Sequence, residues 1–175
     1  EPGSSFKIFS IGLALEQDLV DEETEFYVQD KIELIENSCQ KNFKGYKGCY
    51  RDFLKHDPYT LSVKEIIERS SNVGTIMATQ ELNISDLENY LKKYGFIQKT
   101  GIELSGESKG SFDSYKKCTT CLSSLSIGYS VNVTQMQMVK AYSIIANGGK
   151  DIDLTVVKSP YAVSYTHLRA HETGY

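Results

Sequence analysis

The sequence predicts a chain that is mostly helix and loop; if it belongs to a mixed fold, most of the sheet lies outside it. Two observations carry that prediction. Three Ser/Thr-x-x-Glu/Gln capping boxes, Ser62-Val63-Lys64-Glu65, Ser85-Asp86-Leu87-Glu88 and Thr134-Gln135-Met136-Gln137, stand at the head of stretches with helical apolar spacing. Few segments, by contrast, alternate apolar and polar residues as half-buried strands do.

Composition narrows the function classes. An apolar fraction of 40% with 24% charged residues is ordinary globular balance and excludes a wholly disordered chain. With 19 basic against 23 acidic residues, the net charge of −4 leaves no basic excess to track a nucleic acid backbone. No apolar run approaches the roughly 18 residues that a membrane-spanning helix needs. The 175 residues fit one domain or part of a larger one. Position 1 is Glu rather than Met, so the start reads as a processed or truncated end, and the lack of a leader says nothing about localisation.

Along the chain, Pro2-Gly3-Ser4 is a turn cluster that opens a helix at Ser4, with Phe6, Phe9, Leu13 and Gln17 on one face. Residues 18–60 read as turns and short strands. The first capping box starts a helix that ends near Arg69 at Ser70-Ser71-Asn72, residues that favour turns, and a second helix follows from Val73. The next box starts a helix with Leu87, Leu91 and Tyr94 on its apolar face and Gly95 as its C-terminal cap. Residues 97–133 read as loop with short extended pieces. The third box starts a helix whose face continues through Met138, Tyr142 and Ile145 and which ends at Asn147-Gly148-Gly149. The last stretch, 161–175, has no apolar period and no caps, and it holds two of the three histidines, His167 and His171. It resembles a translated sequencing adapter. We expect a partial domain over 1–160 and a non-native tail over 161–175.

Two short patterns carry chemistry. Ser4-Ser5-Phe6-Lys7 is S-x-x-K at a helix start, a spacing that puts the two side chains on one face. A serine hydroxyl needs a base to become nucleophilic. A lysine serves if burial and nearby positive charge lower its pKa from ~10.4 towards ~7–8. The helix N-terminus also offers N–H groups and a positive dipole end to a developing oxyanion. Ser70-Ser71-Asn72 is S-x-N on a tight turn. There the first hydroxyl can relay a proton to a leaving amine, and the amide can hold a substrate carbonyl. Each pattern alone is weak, since a capping Ser beside a surface Lys and a Ser/Asn turn are both common.

Together they match the S-x-x-K plus S-x-N set of penicillin-binding proteins and serine β-lactamases. The stretches EPGSSFK, ERSSNVGT, KYGFIQKTGIELSGESKG and SIGYSVNVTQMQMVKAYSIIANGG resemble, in order, segments of class B penicillin-binding proteins over most of residues 1–149. The nearest subgroup is the division-type peptidoglycan D,D-transpeptidase. The resemblance implies an α+β, penicillin-binding protein/serine β-lactamase-like transpeptidase fold, present here mainly as its helical part with most of the sheet missing. It implies Ser4 as acylated nucleophile, Lys7 as general base, Ser70 as proton relay and Asn72 as holder of the donor peptide or β-lactam amide. The implied substrates are D-Ala-D-Ala stem peptides and β-lactams, with no cofactor, metal or nucleic acid. A membrane glycosyltransferase and division proteins are the implied partners of the full-length protein. The implied location is the extracytoplasmic face of the bacterial inner membrane, in the periplasm, with an anchor outside this chain. Departures from the family pattern are small: Ser105 and Gln135 stand where Pro is common, and Tyr129 where Gln is frequent.

Lys99-Thr100-Gly101 spells the family's third motif, but that motif belongs on an edge strand and is followed by a small or hydroxyl residue, whereas Ile102 follows here. We expect it to be a decoy within a structural loop. The true triplet should come after Gly149, so the chain is expected to be a fragment that is inactive by itself. Four cysteines, Cys39, Cys49, Cys118 and Cys121, allow three pairings. An extracytoplasmic location, which the resemblance implies, permits disulfides, and Cys39–Cys49 is the favoured loop staple. His56 reads as a surface loop residue rather than a base. The alternatives are a serine β-lactamase, disfavoured by TGIELSGE and IANGG, and a non-catalytic penicillin-sensing domain, which acylates without turnover.

Overall fold

A computed structural model describes residues 1–40, 48–112 and 120–158. The expected tail at 161–175 and Cys118 lie outside the described residues.

The chain opens in a 3-10 turn, Gly3–Phe6, that runs directly into α1 (Lys7–Glu16). Helix α1 is apolar nearly all round, as befits a helix enclosed on most sides. Phe6, Phe9, Leu13 and Ala14 enter one core cluster with Leu87, Tyr90, Leu91, Phe96, Leu125 and Ala141. Ile11, on another face, enters a second cluster with Val28, Leu61, Val63, Ile66 and Val73. In the first cluster Phe9 meets Phe96 edge-on at a centroid separation of 5.0 Å, a favoured aromatic geometry.

The expected turns and short strands of 18–60 resolve into β1 (Glu25–Val28), β2 (Lys31–Glu33), β3 (Cys49–Arg51) and β4 (Tyr59–Ser62). Strand β1 pairs antiparallel with β4, placing Phe26 opposite Leu61, and β2 pairs antiparallel with β3. The Cys39–Cys49 disulfide fastens the start of β3, as the staple reading expected.

Ser62 begins α2 (Val63–Arg69) through a complete capping box, with the Glu65 N–H donating to Ser62 Oγ and the Ser62 N–H donating to Glu65 Oε2. Helix α3 (Asn72–Thr79) follows after Ser70 and Ser71. Helix α4 (Ile84–Lys93) departs from expectation at its start. Asn83 is the cap, its side chain accepting from the Ser85 N–H, so Ser85 lies inside the first turn. An Asn cap is as effective as Ser, and it pre-empts the box two residues later. The other end behaves as expected. Gly95 takes φ +87°, its N–H donates to Lys92 O, and the Phe96 N–H donates to Leu91 O, the paired bonds of a Schellman stop.

Residues 97–133 hold more structure than expected: β5 (Ser111–Phe112) and β6 (Val131–Asn132) pair antiparallel, and α5 (Cys121–Ser126) intervenes. The capping box at Thr134 is complete and starts α6 (Gln135–Ala146). Its buried face is Gln137, Lys140, Ala141 and Ile144, not the expected Met138, Tyr142 and Ile145. Met138 is partly buried against the core, while Tyr142 and Ile145 are exposed. Gln137 reads as a surface residue by type. Its amide is nevertheless satisfied inside: Oε1 accepts from the Thr134 N–H, and Nε2 donates to Gln98 O and Lys109 O.

Candidate active site

Ser4 sits in the opening 3-10 turn, exposed to solvent. The turn is held from several sides. The Gly3 N–H donates to Gly128 O at 3.1 Å, Tyr142 Oη donates to Ser5 O at 2.7 Å, and Phe6 is fully buried. Gly128 (φ +80°) lies so close that a Cβ there would overlap the Gly3 backbone, so only glycine permits this approach.

Lys7 begins α1 with only 3% of its surface exposed. Its Nζ donates to Ser70 O at 2.5 Å and to Ser70 Oγ at 3.1 Å. Burial lowers its pKa to about 8, against an opposing pull from the Asp52 carboxylate. The structure thus joins two of the expected residues that lie 63 positions apart. Among the described residues no hydrogen bond links Lys7 to Ser4 Oγ; the two share one turn, and the ammonium leans towards Ser70.

Ser70 ends α2 in the left-handed region, at φ 55° and ψ 39°. For a residue with a Cβ this costs roughly 1–2 kcal/mol. Surrounding bonds hold it there: the Ser71 N–H donates to Ile66 O, and Ser71 Oγ caps α3 by accepting from the Gly74 N–H. Asn72 is the first residue of α3, and its Nδ2 donates to Arg51 O at 2.8 Å. The fourth expected residue is therefore fixed beside Ser70 rather than against Lys7.

Sequence reasoning missed Asp52. Its Oδ1 accepts from the N–H groups of Asn72 and Val73, and its Oδ2 accepts from Ser71 Oγ and contacts His56 Nε2 at 3.1 Å. Nothing in RDFLKHDP spells a motif, and three of the four partners lie about twenty positions away, so no local signal could have found this network. His56, expected as a loop residue, is on a loop but half-buried, stacked on Tyr59 and joined to this carboxylate. Its pKa is raised, first by its bond to the Asp57 carbonyl and then by Asp52.

The triplet Lys99-Thr100-Gly101 lies in a loop. The N–H and Oγ1 of Thr100 both donate to Glu107 Oε1, and the Gly101 N–H donates to Glu107 Oε2. These bonds hold the Glu107 carboxyl below the usual carboxylate range. The Thr100 and Gly101 N–H groups are thereby occupied and not free to pair with a substrate, which fits the decoy reading. No described cysteine is free. Among the described residues no group of three His, Cys, Asp or Glu is placed to hold a metal ion, and no helix is long and apolar enough to cross a membrane.

The model of the penicillin binding protein transpeptidase domain matches residues 1–173. The chain is 28% identical over 163 residues to penicillin-binding protein PbpB of Mycolicibacterium smegmatis, covering 93% of this chain and 24% of that protein. It is 30% identical over 151 residues to stage V sporulation protein D of Bacillus subtilis, covering 85% and 22%. It is 30% identical over 159 residues to peptidoglycan D,D-transpeptidase FtsI of Buchnera aphidicola, covering 90% and 26%. The chain thus spans about a quarter of the length of these curated relatives. Among solved structures, penicillin-binding protein 3 of Mycobacterium tuberculosis complexed with aztreonam superposes with a TM-score of 0.75 at 27% identity, covering 90% of this chain and 33% of that one.

Proposed function

The chain belongs to the penicillin-binding protein transpeptidase domain family, and we propose from that premise that it is part of a division-type peptidoglycan D,D-transpeptidase working through a serine acyl-enzyme. Ser4 Oγ attacks the carbonyl of the D-Ala-D-Ala bond while Lys7 takes its proton. Ser70 passes a proton to the departing D-Ala amine, and Asn72 steadies the donor peptide. The amine of a neighbouring stem peptide then displaces Ser4 from the acyl carbon, forming the cross-link. A β-lactam opens on the same serine and stays attached, since its amine cannot leave.

The observation that carries this reading is the buried Lys7 at a pKa of about 8 with its Nζ 3.1 Å from Ser70 Oγ. At pH 7, lowering a lysine from 10.5 to about 8 raises its neutral, proton-accepting fraction by roughly 300-fold. The full-length protein would work on the extracytoplasmic face of the inner membrane, in the periplasm, held by an anchor and associated with a glycosyltransferase and division proteins.

The only Lys-Thr-Gly among the described residues is the loop gripped by Glu107. The second oxyanion donor and a carboxylate-binding hydroxyl would have to come from elsewhere, and one missing donor costs roughly 10²–10³ in rate. The isolated chain is accordingly proposed to be inactive. A fluorescent penicillin should label the full-length protein at Ser4, lose that label in Ser4→Ala, and leave the isolated chain substoichiometrically labelled. Labelling at another residue would remove the assignment, stoichiometric labelling of the isolated chain would remove its inactivity, and rapid nitrocefin turnover by the full-length protein would favour a hydrolase.

A further inference from the structure

Asp52 stands immediately after β3, and its side chain is 8% exposed. Two oxygens receive four neighbours, which uses the full acceptor capacity of a carboxylate. Three of those bonds fall on the residues that follow Ser70. The two backbone N–H groups accepted by Oδ1 are the first of α3, where a negative charge also meets the positive end of the helix dipole. The adjacent Arg51 carbonyl takes the Asn72 side chain, so two consecutive residues of one strand end fix both ends of Asn72. That strand end is itself braced, by Cys39–Cys49 and by Tyr50 Oη, which bonds Thr120 O and Ser124 Oγ.

We propose that Asp52 is a positioning residue of the acyl-transfer site, whose carboxylate locks the Ser70-Ser71-Asn72 turn against Lys7 and supplies the negative charge that the buried ammonium faces. The inference rests on the acyl-transfer reading of Ser4, Lys7, Ser70 and Asn72. Among the described residues, the surroundings of Lys7 leave Asp52 as the charge that matters. Helices α3 and α5, which pack on α1, carry no charged side chain. Lys93 of α4 pairs with Glu16 at the far end of α1, and Glu1 accepts from the Ser130 N–H. Glu68 and Arg69 are exposed at the end of α2, with Arg69 over the Tyr59 ring. His56 reaches Lys7 only through Asp52, whose charge it offsets when protonated.

The test follows the lysine Cε signals of the whole chain by carbon-13 NMR through a pH titration, with Lys7 assigned by its disappearance in Lys7→Met. The wild-type midpoint should lie near 8. In Asp52→Asn the carboxamide keeps an acceptor for the Asn72 and Val73 N–H groups but loses the charge, so the midpoint should fall by about half a unit or more. A side chain that only braces the loop would leave it unmoved, and an unmoved midpoint overturns the proposal. Should Asp52→Asn fail to fold, Asp52→Glu and Asp52→Ala decide: the variant that keeps the charge must hold the Lys7 midpoint near 8, and the one that removes it must lower that midpoint. Equal Lys7 midpoints in the two variants also overturn the proposal. Penicillin labelling of Ser4 in the full-length protein reads the underlying site assignment separately, because its failure leaves the Lys7 titration interpretable.

Discussion

Replacing Gly128 by Ala should disturb the turn that carries Ser4 more than any local property of residue 128 suggests. The added Cβ would overlap Gly3 O and lie 2.7 Å from Gly3 C and 2.8 Å from Gly3 N, all backbone atoms. Carbon contacts settle near 3.3–3.5 Å and Gly3 O is the nearest atom, so one backbone must retreat by roughly 1 Å or more. The left-handed φ of +80° adds about 1 kcal/mol of strain for Ala, and forced repacking adds about 1–3 kcal/mol. The sum is about 2–4 kcal/mol, or roughly 5–15 °C in Tm for a chain of this size. Gly106→Ala is the matched control, since it has the same φ of +80° with nothing within 4 Å of its Cβ, and should lose only about 1 kcal/mol. Thermal unfolding of the two variants beside the wild type makes the comparison. Equal losses would refute the reasoning, because they would mean that the Gly3 contact carries no energy. In the full-length protein the same retreat should slow acylation of Ser4 by about 10²-fold, the usual penalty for ångström misplacement of a reacting group.

Acylation of the full-length protein should accelerate with rising pH through about 8, as Lys7 loses its proton, and Lys7→Arg should abolish that rise. Lys7 binds its proton less tightly folded than unfolded, so between about 8 and 10.5 the unfolded chain holds more protons and stability rises with pH. Denaturant unfolding should therefore show the wild type gaining on Lys7→Met across that window, by up to roughly 3 kcal/mol, and no convergence below it. Gln137→Leu should cost about 2–4 kcal/mol in the same assay, since it strands the Thr134 N–H and the carbonyls of Gln98 and Lys109. Reduction of Cys39–Cys49 should cost about 2–3 kcal/mol and raise amide hydrogen exchange at Asn72 and Val73, whose acceptor follows β3.

What could be read from the sequence was what is decided locally. Capping at Ser62 and Thr134 depends on residues three apart, and both boxes formed with both bonds. The box at Ser85 did not form, because Asn83, two residues earlier, caps the helix by accepting from the Ser85 N–H and leaves Ser85 inside the first turn. Helix α5 escaped notice because it is six residues long, lacks a side-chain cap at Thr120 and is half serine. The face of α6 was misjudged because polarity was taken to mean exposure; Gln137 is buried only because two loops bring it carbonyls from 39 and 28 positions away. The same limit applies to the site. Ser4, Lys7, Ser70 and Asn72 were visible as residue types at telling spacings. The contact between Lys7 and Ser70, and the entire role of Asp52, are products of tertiary packing.

That packing also explains why the site lies where it does. The N-terminal end of α1 is anchored in one core cluster through Phe6 and Phe9, whereas α2 and α3 are anchored in the other through Ile66 and Val73. Lys7 follows Phe6 of the first cluster and Ser70 follows Ile66 of the second, and α1 belongs to both, through Phe9 in the first and Ile11 in the second. Holding a lysine there lowers its affinity for a proton and so opposes folding at neutral pH, a cost that the surrounding apolar contacts, the bonds to Ser70 and the Asp52 charge together offset. The hydroxyl it contacts is held in a backbone conformation that is itself unfavourable for serine. Two locally unfavourable arrangements thus stabilise one another across a junction that neither core alone could create, and loosening either core should separate Nζ from Oγ before it unfolds the chain.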